Sequence, residues 1–84
     1  MPELSRFFGI IIYMYGHDHN PPHFHILYGE YEAIMYINTG TVEGDIPPKV
    51  TKKVKEWLKL HSQELLNAWD LAQKGESPGK IEPL

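Results

Sequence analysis

The chain has 84 residues, a net charge of −3 and no cysteine. That length allows one small domain, burying only about 60% of its unfolded surface, and the absence of cysteine excludes disulfides, thiolate zinc sites and cysteine nucleophiles. The acidic balance argues against a protein that holds duplex nucleic acid mainly through phosphate contacts, and 42% hydrophobic with 12% aromatic residues excludes a disordered chain.

In chain order, the N-terminal residues include Glu3 and Arg6, and the apolar run Ile10–Tyr15 is too short for a signal sequence or a membrane span. A cytoplasmic protein without membrane contact is expected. Phe7–Tyr15, rich in β-branched and aromatic residues, reads as a buried strand. Gly16–Pro22 reads as a loop, since Asn20 precedes a proline and is biased away from helix. His23–Tyr28 and Tyr31–Asn38 read as strands joined through Gly29-Glu30 into a hairpin. Asn38-Thr39-Gly40 is a turn, and Thr41–Gly44 a short fourth strand or an irregular bridge.

Helix begins near Pro48, because proline is tolerated in a first turn. Val50, Val54, Trp57, Leu58 and His61 share one helical stripe. Ser62 is placed to cap a second helix, with Leu65, Leu66, Trp69 and Ala72 on its buried face and Gly75 as its stop. The fold class is therefore α+β: a three- to four-stranded antiparallel sheet followed by two C-terminal helices packed on one face. The whole chain, 1–84, is expected to be one domain, with a β-rich part over 1–45, a helical part over 46–75 and a flexible tail over 76–84.

Four of the five histidines fall in the run His17-Asp18-His19-Asn20-Pro21-Pro22-His23-Phe24-His25. Histidine changes charge near working pH and is the commonest metal ligand. Along a strand, residues i and i+2 point the same way, so His23 and His25 share a face. Those two can share a metal, with His17 and His19 approaching from the loop and Asp18 giving an oxygen. Nitrogen and oxygen ligands suit a divalent transition metal such as zinc. The same residues also suit loop order alone, since Asp18 and Asn20 are turn formers and two prolines enforce an extended entry to the strand. His61, on the apolar stripe, reads as a core or helix-end histidine.

Metal-free acid–base chemistry needs a histidine near a carboxylate or cation. Arg6 is a candidate phosphate binder, His19, His23 and His25 are candidate acids or bases, and Glu30 is a candidate partner. Lys49, Lys52 and Lys53, with Lys55 and Lys59, make a basic helix face that suits RNA phosphates, an acidic partner or plain solubility.

The opening Pro2-Glu3-Leu4-Ser5-Arg6-Phe7-Phe8-Gly9-Ile10, the segment Asp18-His19-Asn20-Pro21-Pro22-His23-Phe24-His25 and the segment Tyr28-Gly29-Glu30-Tyr31-Glu32-Ala33 resemble a family of small bacterial proteins, domain-of-unknown-function family 4160. The likeness continues through Pro47-Pro48, Trp57, His61, Glu64-Leu65-Leu66 and Trp69. It implies a bacterial cytoplasmic protein encoded beside a cognate small protein, as in a type II toxin–antitoxin pair, but brings no mechanism with it. Two functions follow as expectations. One is a toxin that cleaves RNA as a small endoribonuclease. The other is a non-enzymatic module that binds a partner or a metal through the His17–His25 segment. A free sheet edge also makes a homodimer an expectation.

Overall fold

A computed structural model describes residues 3–84. Five strands, β1 (Glu3–Phe7), β2 (Ile10–Tyr13), β3 (His23–Tyr28), β4 (Tyr31–Tyr36) and β5 (Val42–Gly44), precede one helix, α1 (Pro48–Gln73). The sheet is an antiparallel meander in sequence order. The β3–β4 hairpin lies where the sequence puts it, with Tyr28 opposite Tyr31 across Gly29-Glu30.

The sheet has five strands rather than three or four, because the single strand expected over 7–15 is a hairpin. Phe8 and Gly9 both take positive φ, 50° and 76°, and pair Phe7 with Ile10 across a two-residue turn. Such turns match the twist of the strands they join. Gly9 was the available signal, masked by the apolar residues on both sides.

The two expected helices are one. The chain departs from helical geometry only at His61 (φ −126°, ψ 20°), and α1 continues beyond it. Sequence reading placed the break at Ser62, one residue away, but a break in backbone geometry does not require a break in packing. Val50, Val54, Trp57 and Leu58 before the kink and Leu65, Ala68, Trp69 and Ala72 after it are all buried. Both halves therefore close over the same sheet face, meeting Leu4, Ile10, Ile12, Phe24, Ile26 and Met35 in one core. Trp57 lies at its centre, with ring centroids 5.4 Å from Phe7 and 5.7 Å from Phe24.

The tail expected to be flexible is docked. Ile81 is 6% exposed, its N–H donates to the Leu4 carbonyl at 2.8 Å, and Lys80 Nζ donates to the Glu3 carbonyl at 2.8 Å. The buried Trp57 indole N–H donates to the Glu82 carbonyl at 2.8 Å. The segment occupies the outer side of β1, an edge that would otherwise expose backbone groups to pairing with another chain. Ile81 supplies apolar area that a chain of this size needs. No helix of the described residues is long and apolar enough to cross a membrane.

The other sheet face is covered only in part, with Tyr13 4% and His23 6% exposed. Register places Tyr13, His25, Ile34 and Glu43 in one row across β2 to β5, and His23 beside Tyr36 in the next. The loop between β2 and β3 ends in Pro21 and Pro22, and its Asp18 lies within hydrogen-bond reach of His23 and His25 on β3.

Candidate metal centre

His23 and His25 alternate onto the face of β3 opposite Phe24 and Ile26, as period-two geometry requires. The Asp18 carboxylate lies between them. Its Oδ2 is 3.0 Å from His23 Nε2 and 2.9 Å from His25 Nε2. Its Oδ1 accepts the His19 backbone N–H at 2.9 Å, which orients the carboxylate toward the two rings.

Packing fixes both imidazoles. The His25 ring stacks on Tyr13, with centroids 5.1 Å apart and planes 17° apart, and meets Tyr15 edge-on at 4.7 Å. The buried His23 ring contacts Trp69 of α1 at 5.1 Å and Tyr36 at 5.8 Å. The loop is tied to the end of α1 as well: Gln73 Nε2 donates to the Asp18 carbonyl at 2.9 Å, and the His17 N–H donates to the Ala72 carbonyl at 3.3 Å.

The two nitrogens of His23 set the chemistry. Nδ1 lies 2.8 Å from the Pro21 carbonyl oxygen, a pure acceptor. An N–H at Nδ1 satisfies that carbonyl, and in a neutral ring it leaves a lone pair on Nε2 facing the Asp18 oxygen. Two acceptors so opposed need a second proton or a cation between them. A histidine whose far N–H is anchored on a backbone carbonyl is also the arrangement in which imidazole commonly ligates metal.

Asp18 is ready to serve as an anion. Burial pushes its carboxyl up, but the hydrogen bonds from His25 and from the His19 backbone, with the charge and hydrogen bond of His23, outweigh burial and hold it below the usual carboxylate range. The three ligand atoms, one from each of Asp18, His23 and His25, lie within 4.8 Å of one another. Zinc bonds to nitrogen and oxygen at about 2.1 Å. Tetrahedral zinc at that bond length spaces its ligand atoms about 3.4 Å apart, so taking up the ion would widen the 2.9 and 3.0 Å contacts of Asp18 with the two rings by about half an ångström. The trio borders a cavity of about 320 Å³ that His19 and Tyr36 also line, so a bound ion would keep a side open to solvent.

Among the described residues, the other expected ligands are not in this group. His17 is exposed, and its ring lies against Gly75, where an added Cβ would be 3.4 Å from Nε2. His19 is exposed at the rim of the cavity and reaches Asp18 through its backbone.

The expected catalytic set is likewise not assembled. The Arg6 guanidinium is bound to Glu3 at 2.7 Å, and that hydrogen bond holds Glu3 below the usual carboxylate range. Arg6 stands opposite Ile11, two positions along β2 from the Tyr13 that faces His25. Glu30 is in the turn at the far end of β3 from His23, roughly 20 Å away at strand rise.

Nor do the three expected nucleic-acid lysines form one patch. Lys49 lies over the Tyr28 ring at 5.9 Å and Lys53 over the Phe8 ring at 4.8 Å, whereas Lys52 lines a groove on another side of α1. His61 Nδ1 is 2.7 Å from Glu64 Oε1, so a carboxylate one helical turn on is its partner.

Sequence reading missed Tyr13, Tyr36, Trp69 and Gln73 as supports of the site. Gln73 is 55 residues from Asp18, and no local pattern announces a contact that only the fold creates.

Searches of the curated proteins and of the solved structures return no match. From the first turn of the sheet to the second half of α1, residues 9–70, the chain matches the family model described as Domain of unknown function (DUF4160), and it belongs to that family, with Asp18, His23 and His25 inside the matched span.

Proposed function

We propose that Asp18, His23 and His25 bind one divalent transition-metal ion of the zinc class, and that the protein works as a small metal-binding member of a toxin–antitoxin pair. The observation that carries the metal reading is the single Asp18 oxygen set between two imidazole nitrogens, with the far nitrogen of His23 anchored on the Pro21 carbonyl. The pairing with a cognate neighbour rests on the family resemblance alone.

One observation also favours a catalytic form. Three protein ligands beside an open cavity leave a coordination position free, the pattern of hydrolytic rather than structural zinc. In that form the ion would supply an activated water, His19 and Tyr36 would face the substrate, and RNA is the substrate proposed. The acid–base roles first expected of Arg6 and Glu30 have no place in it.

The test is calorimetric titration of metal-stripped, untagged protein with Zn²⁺, beside His25→Ala and Asp18→Asn. One equivalent bound by the parent, and affinity about a hundredfold weaker or lost in either variant, supports the centre. No binding, or equal binding by all three, overturns it. Incubating loaded parent and loaded His25→Ala with single-stranded RNA then decides the catalytic form: equal cleavage, or none in either, removes it while leaving the metal centre standing.

A further inference from the structure

Helix α1 has two unlike flanks. On one, Lys49 and Lys53 lie over the rings of Tyr28 and Phe8. The other borders an open groove of about 980 Å³ between α1 and the connections on either side of β5. That volume is at the top of the range typical of ligand sites, roughly 300–1,000 Å³. The groove shares no lining residue with the cavity beside Asp18, His23 and His25.

Its floor is apolar, formed by Ile37, Ile46 and Leu58. Lys52, Lys55 and Lys59, exposed and spaced i, i+3 and i+7, line it on the α1 side. At that spacing three lysines share one face of a helix. Their alkyl stems cover apolar surface while the ammonium groups stay hydrated at the rim. Glu56 is the single carboxylate among the lining residues, so three lysines leave the groove locally basic on a chain of net charge −3.

We infer that this groove binds an acidic, amphipathic peptide segment of a partner protein. Apolar side chains of the segment fill the floor, and flanking Asp or Glu residues meet the three lysines, the helix-groove logic of peptide recognition with complementary rim charge. A nucleic-acid strand fits less well. Single strands bind through aromatic stacking platforms beside basic residues, and none of the lining residues is aromatic. The apolar floor of Ile37, Ile46 and Leu58 would stay uncovered by a phosphate–sugar backbone, whereas apolar side chains of a peptide fill it.

The test is fluorescence anisotropy of the whole protein with a labelled short Glu/Leu peptide that places Leu at i, i+3, i+4 and i+7 and Glu between them. A Lys/Leu peptide and an oligouridylate serve as the other probes. Two variants carry the same charge change: Lys52→Glu with Lys55→Glu in the groove, and Lys49→Glu with Lys53→Glu on the opposite flank. All four lysines are exposed, and circular dichroism checks that both proteins fold. Saturable binding of the Glu/Leu peptide, weakened about tenfold by the groove pair and by less than about twofold by the flank pair, supports the inference. Ile46→Ser should weaken the peptide further. Equal weakening by both pairs reduces the effect to net charge and overturns the inference. So does failure to bind the peptide, equal binding of the Lys/Leu peptide, or tighter binding of oligouridylate that the groove pair abolishes.

Discussion

Replacing Asp18 by Asn tests the centre through stability, because it keeps the side chain's shape and removes its charge. In the metal-free protein Asp18 accepts from the His19 backbone and faces two imidazole nitrogens. Hydrogen bonds to a charged group contribute about 1.5–3 kcal/mol each. The Asp18 side chain is 21% exposed, so solvent screening reduces that, and the amide still accepts one contact. A net loss of about 1–2 kcal/mol follows, a melting temperature about 4–16 °C lower for a domain of this size. Zinc adds the larger effect. At a hundred times its dissociation constant an ion bound only by the folded state stabilises by about 2.7 kcal/mol, which raises the parent's melting temperature by about 10–20 °C. Asp18→Asn should show almost none of that rise. The assay is scanning calorimetry of both proteins with chelator and with graded Zn²⁺. An equal zinc-induced rise in parent and variant, or none in either, would refute the reasoning.

Three further outcomes are expected. Burial, the hydrogen bond with Tyr15 and the charges of Tyr15 and Glu32 push the Tyr13 phenol up from 10.0 to about 12; because the folded pKa exceeds the unfolded one, stability is full below pH 10.0 and falls as pH rises toward about 12, and Tyr13→Phe should remove the last step of the absorbance titration, an unchanged high-pH limb counting against the assignment. Gly44 has φ +116°, and a Cβ there would come 2.8 Å from the Ala33 Cα and the Glu32 carbonyl, so Gly44→Ala should cost about 1–3 kcal/mol and strip hydrogen-exchange protection from β5 first; unaltered protection would contradict the geometry. Ile81→Ala should cost about 2–3 kcal/mol in a urea titration, and a loss under about 0.5 kcal/mol would mean that the tail contributes no core.

Much of the fold is local in origin and therefore legible. Period-two alternation marked His23–Tyr28, Gly29 marked its turn, and the stripe from Val50 to Ala72 marked helix. The errors share one cause. Apolar residues flank Phe8-Gly9 on both sides, so periodicity hid a two-residue turn whose evidence was one glycine. Ser62 announced a break that the backbone makes at His61, but burial on the same face before and after the kink kept one helix. Ile81 looked like a stray apolar residue in a proline-containing tail until β1 gave it an edge to cover.

The site divides the same way. Sequence alone determined that His23 and His25 share a face, because strand geometry leaves no alternative, and that two prolines enforce an extended entry to their strand. Only the tertiary structure decided which other groups join them. Asp18 enters and His17 does not, although they are neighbours, because the loop is tied to the end of α1 through His17 N–H and Gln73, which turns one side chain toward β3 and leaves the other against Gly75. It likewise separated Arg6 and Glu30 from the histidines and divided the lysines of α1 between two flanks. Those outcomes depend on the register and packing of segments far apart in the chain, which residue spacing along one segment does not encode.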